Sequence, residues 1–168
     1  NIHMNIYLDN VLYTNFDDDY RHWYHKETTS LGKVIEGDVL EFIKGKKPSK
    51  ILFISEPEEA KKHFENMQKM FGESLNICAS HPRYVEFSHI DAQKDKTLLV
   101  LLEMLNIKKE ELIVFGDSGN DVSMLKNTGF SCCVANGWDE AKEASNLIIE
   151  SNDNDGVART VERLILNR

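Results

Sequence analysis

The sequence predicts an α/β protein in two parts, an α+β domain over residues 1–90 and a parallel-sheet domain over residues 91–168. Two observations support this fold class. From Asp95 to the end of the chain, helical and strand patterns alternate, as they do in a parallel sheet with crossover helices. Within that alternation, the continuous apolar run at residues 112–115 indicates a strand buried on both faces.

The first part is predicted to contain two helices and four strands. A short helix covers residues 38–44, and a longer helix begins where Ser55 and Glu58 match a capping box and stops at Gly72. The apolar face of the longer helix comprises Ala60, Phe64, Met67 and Phe71. The four predicted strands cover residues 5–13, 50–54, 75–79 and 84–90, and a polar loop follows the first of them.

The second part is predicted to run helix, strand, helix, strand, helix, strand, helix. Its first helix is thoroughly apolar, with leucines at positions 98, 99, 101, 102 and 105. Its last helix is predicted to bury a single stripe made of Val157, Val161, Leu164 and Ile165.

The strand at residues 112–115 ends in a segment that has the residues of a metal and phosphate site. Gly116 allows a tight turn, and Asp117 follows at the carboxyl end of the strand, where open α/β sheets bind ligands. A hard cation such as Mg²⁺ prefers carboxylate oxygens. Asn120 and Asp121 fall at the start of the next helix, where backbone N–H groups favour a phosphate. The alternative is a turn whose Asp and Asn only cap a helix.

The segment Gly-Asp-Ser-Gly-Asn-Asp resembles the fourth motif, GDxxND, of the haloacid dehalogenase superfamily, and specifically of its Cof-like phosphatases. Upstream, residues 84–90 followed by Lys94 resemble the strand and the third-motif lysine of that family. Downstream, residues 133–137, 140–144 and 151–158 resemble its C-terminal strand, helix, loop and final helix. The likeness extends from about residue 50 to the end.

This resemblance implies a fold and an activity. Residues 1–90 would be the substrate-specificity cap, and residues 91–168 the C-terminal half of the Rossmann-like core. The activity would be Mg²⁺-dependent hydrolysis of a small phosphorylated metabolite through an aspartyl-phosphate. Lys94 and Asp117 would be catalytic, Lys94 and Asn120 would bind substrate, and Asp117 and Asp121 would hold Mg²⁺.

The sequence departs from the family pattern in two places. Asp95 stands where glycine usually follows the motif lysine, and we expect it to pair with Lys94. No convincing Asp-x-Asp nucleophile precedes residue 94, since Asp17, Asp18 and Asp19 are interpreted as an acidic loop in solvent. The chain is therefore interpreted as a truncated member that is inactive alone. Its unpaired strand edge would favour an oligomer or pairing with the missing N-terminal segment.

Composition excludes several classes of protein. The 168 residues carry a net charge of −8 without a basic block, which argues against nucleic-acid binding. No apolar run is long enough to span a membrane, and no signal peptide is apparent. The three cysteines lack metal-site spacing, so they are interpreted as reduced thiols of a cytoplasmic protein.

Two alternative functions remain at this point. P-type transport ATPases carry a similar Gly-Asp-Gly-x-Asn-Asp motif, but they need transmembrane helices that this sequence does not contain. A non-catalytic phosphate- or metal-binding or regulatory module stays open, because such a module needs no nucleophile.

Overall fold

The computed structural model describes residues 2–166. The chain divides into two compact units, Asn1–Ile90 and Asp91–Arg168. Among the described residues, none of the helices combines the length and apolar character needed to cross a bilayer.

The first unit is built on a six-stranded sheet with strand order β3-β2-β1-β4-β6-β5. Neighbouring strands run antiparallel except β2 and β3, which are parallel. The strands are β1 His3–Leu8, β2 Val11–Thr14, β3 Lys33–Val34, β4 Lys50–Ile54, β5 Leu75–Cys78 and β6 Tyr84–His89. The helices are α1 Asp19–Thr28, α2 Val39–Ile43 and α3 Pro57–Phe71.

Helices cover both faces of this sheet. Ala60 of α3 packs in a cluster with Phe53 of β4, whereas Tyr24 of α1 packs against Leu52 and Ile54 of the same strand. Successive residues of a strand point to opposite faces. The two helices therefore lie on opposite sides of the sheet, and both sides contribute to the core.

The single strand predicted over residues 5–13 is wrong, because two strands form a hairpin there. Asp9 and Asn10 connect them with φ values of 51° and 60°, and Leu8 pairs with Val11. Two consecutive residues with positive φ make the tight turn that matches the twist of antiparallel strands. Asp9 and Asn10 are a polar pair between the apolar runs 6–8 and 11–13, and this interruption was the available signal for the turn.

The polar loop predicted after the first strand contains helix α1. Asp18 is the N-cap of this helix, and its side chain accepts a hydrogen bond from the backbone N–H of Arg21. Tyr24 is the one residue of α1 classed as buried, so the helix has no apolar periodicity to reveal it. The acids at positions 17–19 thus form a helix start, not only a solvated loop.

The capping box predicted at Ser55 and Glu58 is also wrong. The N-cap of α3 is Glu56, which makes no side-chain capping bond, and Pro57 occupies the first turn. Proline suits this position because its fixed φ is helical and it has no N–H to satisfy. Ser55 is buried, and its backbone N–H donates to the carbonyl oxygen of Arg83.

The second unit confirms the predicted alternation of helices and strands. Its strands form a parallel sheet of order β7-β8-β9. Val114, Leu125, Cys133 and Ala141 form one buried cluster, and β8 supplies two adjacent thiols that are fully buried. The strands are β7 Ile113–Gly116, β8 Phe130–Val134 and β9 Leu147–Ile149. The helices are α4 Lys94–Leu105, α5 Val122–Asn127, α6 Asp139–Ala144 and α7 Gly156–Leu164.

The apolar residues of α4 and α7 are distributed differently from the predicted buried faces. On α4 only Asp95 and Leu102 are buried, while Met104 is 77% exposed. On α7 the buried residues are Gly156 and Thr160, and the predicted stripe is not buried. The large apolar side chains exposed on or next to these helices are Leu99, Val100, Leu101, Met104, Leu105, Ile107, Val157, Leu164, Ile165 and Leu166.

Candidate active site

The end of β7 turns directly into the site, and Gly116 makes this turn possible. A Cβ atom added to Gly116 would lie 2.7 Å from the Cβ and 3.0 Å from the Cγ of Asp121. Only a residue without a side chain allows the Asp121 carboxylate to approach the strand this closely. The chain then forms a 3₁₀ turn over Gly119–Asp121 before α5 begins.

Asp121 is almost completely buried and is held by three donors. Its Oδ2 accepts the backbone N–H of Asp117 at 3.0 Å and that of Ser118 at 3.3 Å, and its Oδ1 lies 2.5 Å from the Nζ of Lys94. Burial alone would raise the pKa of Asp121, but Lys94 and the two backbone donors outweigh it and lower the pKa. Asp121 therefore stays ionised inside the turn.

Lys94 is the first residue of α4, and its half-exposed side chain reaches the turn. Besides the ion pair with Asp121, its Nζ lies 3.5 Å from the Oδ1 of Asn120. The predicted pairing of Lys94 with Asp95 is wrong. The Asp95 carboxylate instead accepts a hydrogen bond from the Nδ2 of Asn127 at 2.8 Å, because successive helix residues point in different directions.

Asp117 is exposed at the carboxyl end of β7, where the sequence predicts it. Although the residue is exposed, partial desolvation of its carboxyl raises the pKa, the negative charge of Asp121 raises it further, and Lys94 acts in the opposite direction. Its backbone is tied down, since the carbonyl oxygen accepts from the N–H of Trp138 at 2.7 Å. A second carboxylate beside an ionised one favours a cation at this position.

Asn120 has its amide oxygen engaged. The Oδ1 accepts from the Oγ of Ser118 at 2.9 Å and faces the Nζ of Lys94. The Nδ2 group is then the one with which Asn120 can donate to an anion. The structure thus brings Lys94, Asn120 and Asp121 together beside Asp117. Asp121 also closes a capping box with Ser118, so the capping interpretation of this residue holds at the same time.

A cavity beside Asp117 is lined by two asparagines, Asn136 and Asn152, that the sequence motifs did not single out. It has a volume of about 410 Å³. Asn136 donates through its Nδ2 to the Oδ1 of Asn152 at 2.5 Å. Both asparagines follow neighbouring strands of the parallel sheet, and that position was the available signal for them. The cavity is lined by Phe115, Gly116, Asp117, Val134, Asn136, Asn152 and Val157.

The donors present suit Mg²⁺ better than a softer metal. Mg²⁺ needs one or two protein carboxylates and keeps several waters. Asp117 offers an exposed carboxylate, and the Oδ1 of Asp121 has one lone pair beyond its contact with Lys94. Within residues 2–166, no group of three or more His, Cys, Asp or Glu side chains is placed to hold a metal ion. This set fits a magnesium ion that completes its shell with water or phosphate oxygens.

Comparison with known proteins agrees with this geometry. A family model for haloacid dehalogenase-like hydrolases matches residues 1–161, which is nearly the whole chain. The chain belongs to the haloacid dehalogenase-like hydrolase family. The resemblance to the haloacid dehalogenase superfamily inferred from the sequence is thereby confirmed.

Individual relatives extend the comparison. The "Putative phosphatase YxeH" of Bacillus subtilis is 32% identical over 117 residues, which are 70% of this chain and 43% of that protein. The kanosamine-6-phosphate phosphatase of the same organism is 35% identical over 109 residues, 60% of this chain and 39% of that protein. The crystal structure of TM0651 from Thermotoga maritima matches with a TM-score of 0.75 at 30% identity. The match covers 98% of this chain and 61% of the TM0651 chain. The chain therefore spans less than two thirds of each of these proteins.

Proposed function

We propose that this chain supplies the phosphate- and metal-binding part of a Mg²⁺-dependent phosphatase that acts on a small phosphorylated metabolite. The observation that carries the proposal is the convergence of Lys94, Asn120 and Asp121 beside the exposed Asp117. A cation, an amide and two acids meet at the carboxyl end of β7, and this arrangement suits the binding of a phosphate and a hard metal. Relatives named as phosphatases support the same reaction class.

Each residue has a distinct role in this proposal. Lys94 neutralises negative charge on the transferring phosphoryl group, and Asn120 donates to one of its oxygens. Asp117 is the direct ligand of Mg²⁺. Asp121 orients Lys94 and the turn, and contributes one oxygen to the metal or to its bound water. The bound Mg²⁺ would supply charge stabilisation for the phosphate oxygens.

We assign residues 1–90 to the cap domain that contacts the leaving group of the substrate. In support, these residues form a compact unit with a separate sheet. Residues 91–168 are assigned to the C-terminal half of the catalytic core. Kanosamine 6-phosphate is the substrate in the name of one relative, so a sugar phosphate is a reasonable first test compound.

The nucleophile of the reaction is not assigned to Asp17 or Asp18. Asp17 pairs with Arg21 at 2.8 Å, while Asp18 caps α1 and lies 2.8 Å from the Nδ1 of the buried His3. Both acids thus have structural contacts. We propose that residues 1–168 alone bind phosphate without turning it over, and that the outer edge of β7, an end strand in the order β7-β8-β9, pairs with the polypeptide that carries the nucleophile. A purely phosphate- or metal-binding module is the alternative function.

We assign the protein to the cytoplasm. Cys132 and Cys133 are buried and reduced on β8, and free buried thiols are typical of a reducing compartment.

The proposal is tested by measuring Mg²⁺-dependent binding of inorganic phosphate by calorimetry, together with hydrolysis of an aryl phosphate. We expect the native chain to bind phosphate without hydrolysing the aryl phosphate. Asp117→Ala and Asn120→Ala should each weaken the binding. Turnover that Asp117→Ala abolishes would locate a nucleophile within this chain and contradict the inactivity proposed for it. If the chain shows no phosphate binding and no turnover, the proposed phosphate site is refuted.

A further inference from the structure

We propose that Asp95 is a positioning residue that holds Lys94 at the distance it needs to reach the candidate active site. The inference rests on the proposed function of Lys94, and it assigns a role to a residue that does not touch the phosphate or metal site.

Two consecutive residues of α4 are tied to the two ends of the same short segment. The Nζ of Lys94 lies 2.5 Å from Asp121, immediately before α5, and the Oδ2 of Asp95 accepts from Asn127, the last residue of α5, at 2.8 Å. The two contacts therefore fix the position of the start of α4 relative to both ends of α5. A lysine chain alone has too many rotamers to define such a position.

An exposed ion pair between the Nζ of Lys96 and the Oδ1 of Asp91, at 3.1 Å, also spans the start of α4, and exposed pairs of this kind contribute little to stability. The N-cap of α4, Gln93, makes no side-chain capping bond, so the first turn lacks the usual stabilisation.

Asp95 is 6% exposed and is the acidic residue of that turn. Burial opposes the ionisation of Asp95, but the hydrogen bond from Asn127, together with the nearby donors of the Lys96 backbone and of Ser123, outweighs it and lowers the pKa of Asp95. Asn127 holds the Oδ2 of this buried carboxylate, whereas its Oδ1 has no hydrogen-bond partner among the described residues, so the Asn127 contact is what anchors Asp95.

The test measures whether the Lys94 ammonium leaves its partner when the anchor is removed. The rate at which an N-hydroxysuccinimide ester acylates Lys94 is followed by peptide mass spectrometry at one fixed neutral pH, relative to the exposed Lys69 of α3. Asp121→Asn, which weakens the ion pair directly, gives the rate for a released lysine. Glu103→Ala, at an exposed position of α4, is the control variant.

We expect Asp95→Ala and Asn127→Ala each to raise the Lys94 rate by about two- to fivefold, the range for loss of a half-exposed ion pair. The double variant should react no faster than either single variant, because both changes remove one contact. Asp95→Asn should restore most of the protection, since its amide oxygen can still accept from Asn127. Urea unfolding identifies any variant that does not fold, and Asn127→Ala, at an exposed position, then decides the question.

An unchanged Lys94 rate in folded Asp95→Ala or Asn127→Ala, even with a lower urea midpoint, would overturn the proposal and make Asp95 a purely structural residue. The assay needs neither Mg²⁺ nor phosphate. An altered Lys94 rate without any phosphate binding by the native chain would support the positioning role and refute the proposed function, so the two failures are distinguishable.

Discussion

The side chain of Asp121 occupies the space in which a side chain at position 116 would begin, with 2.7 Å between its Cβ and an added Cβ on Gly116. The strand and the acid that follows it by five positions thus form one interlocked unit. The carboxylate can then accept the backbone N–H groups of Asp117 and Ser118.

We expect Gly116→Ala to displace Asp121 and to weaken Mg²⁺-dependent phosphate binding. Overpacking of this kind costs about 1–3 kcal/mol of unfolding free energy, measured by urea titration. Gly45→Ala is the control, since Gly45 has a φ of +73° but open space around it. That variant should lose stability through its backbone and keep its phosphate affinity, so equal binding losses in the two variants would contradict the interlock.

Asp117→Asn is expected to raise the urea midpoint at neutral pH. The pKa of Asp117 is raised in the folded state, so ionising it costs stability as the pH rises through its folded pKa. The increase in the urea midpoint should disappear at about pH 3, where the Asp117 carboxyl of the native chain is protonated in both the folded and the unfolded state. A higher midpoint that persists unchanged at that pH would contradict this origin.

Mg²⁺ should stabilise the native chain but not Asp117→Asn. A ligand that binds only the folded state raises its stability by mass action, and the variant lacks the carboxylate that we assign to the metal. Thermal melting with and without MgCl₂ measures the effect, with CaCl₂ as the comparison. Equal stabilisation of both proteins by Mg²⁺ would place the ion elsewhere.

Asp18→Ala should destabilise the first unit by about 1 kcal/mol, the usual loss when an N-cap is removed. The change also removes the partner of the buried His3 Nδ1. Asp19→Ala is the matched control, because Asp19 is exposed in the first turn and makes no capping bond. Urea unfolding followed by circular dichroism should show the larger loss for Asp18→Ala, and the reverse order would refute the capping role.

The three thiols should differ in their reactivity toward Ellman's reagent at neutral pH. Burial raises the pKa of Cys132 and of Cys133, and both side chains are inaccessible on β8. Cys78 is only partly buried. We expect one thiol to react first in the folded chain and the other two to react on unfolding, while rapid reaction of all three would contradict the burial of β8.

The apolar surface of α4 should make the isolated chain self-associate. Met104 and Leu105 are 77% and 58% exposed, and exposed large apolar side chains on one helix promote association. Met104→Glu should lower the association constant measured by sedimentation velocity, whereas Glu103→Gln should not. A chain that stays monomeric at all concentrations would contradict the prediction and show that these apolar side chains remain exposed to water without causing association.

Short-range patterns in the sequence are enough to predict the elements with strong periodicity and the local motif at the end of β7. The alternation from α4 to α7 follows from short-range apolar patterns, and Asp117, Asn120 and Asp121 occupy one segment of six residues whose placement at the end of β7 is local. The helix α1 and the turn at Asp9 and Asn10 were not predictable in this way, because single-residue caps and positive φ values leave no periodic signal.

Contacts between residues distant in sequence depend on how the helices and strands pack together. Lys94 reaches Asp121 across 27 positions, and Asp95 turns away from it toward Asn127. The sequence suggested a Lys94–Asp95 pair because neighbours in sequence are easily taken for neighbours in space. Helix geometry sends consecutive side chains in different directions, and packing of α4 against α5 selects the partner of each. The exposed apolar residues of α4 and α7 have the same explanation. The local sequence makes a helix face apolar, but only packing determines which element covers that face.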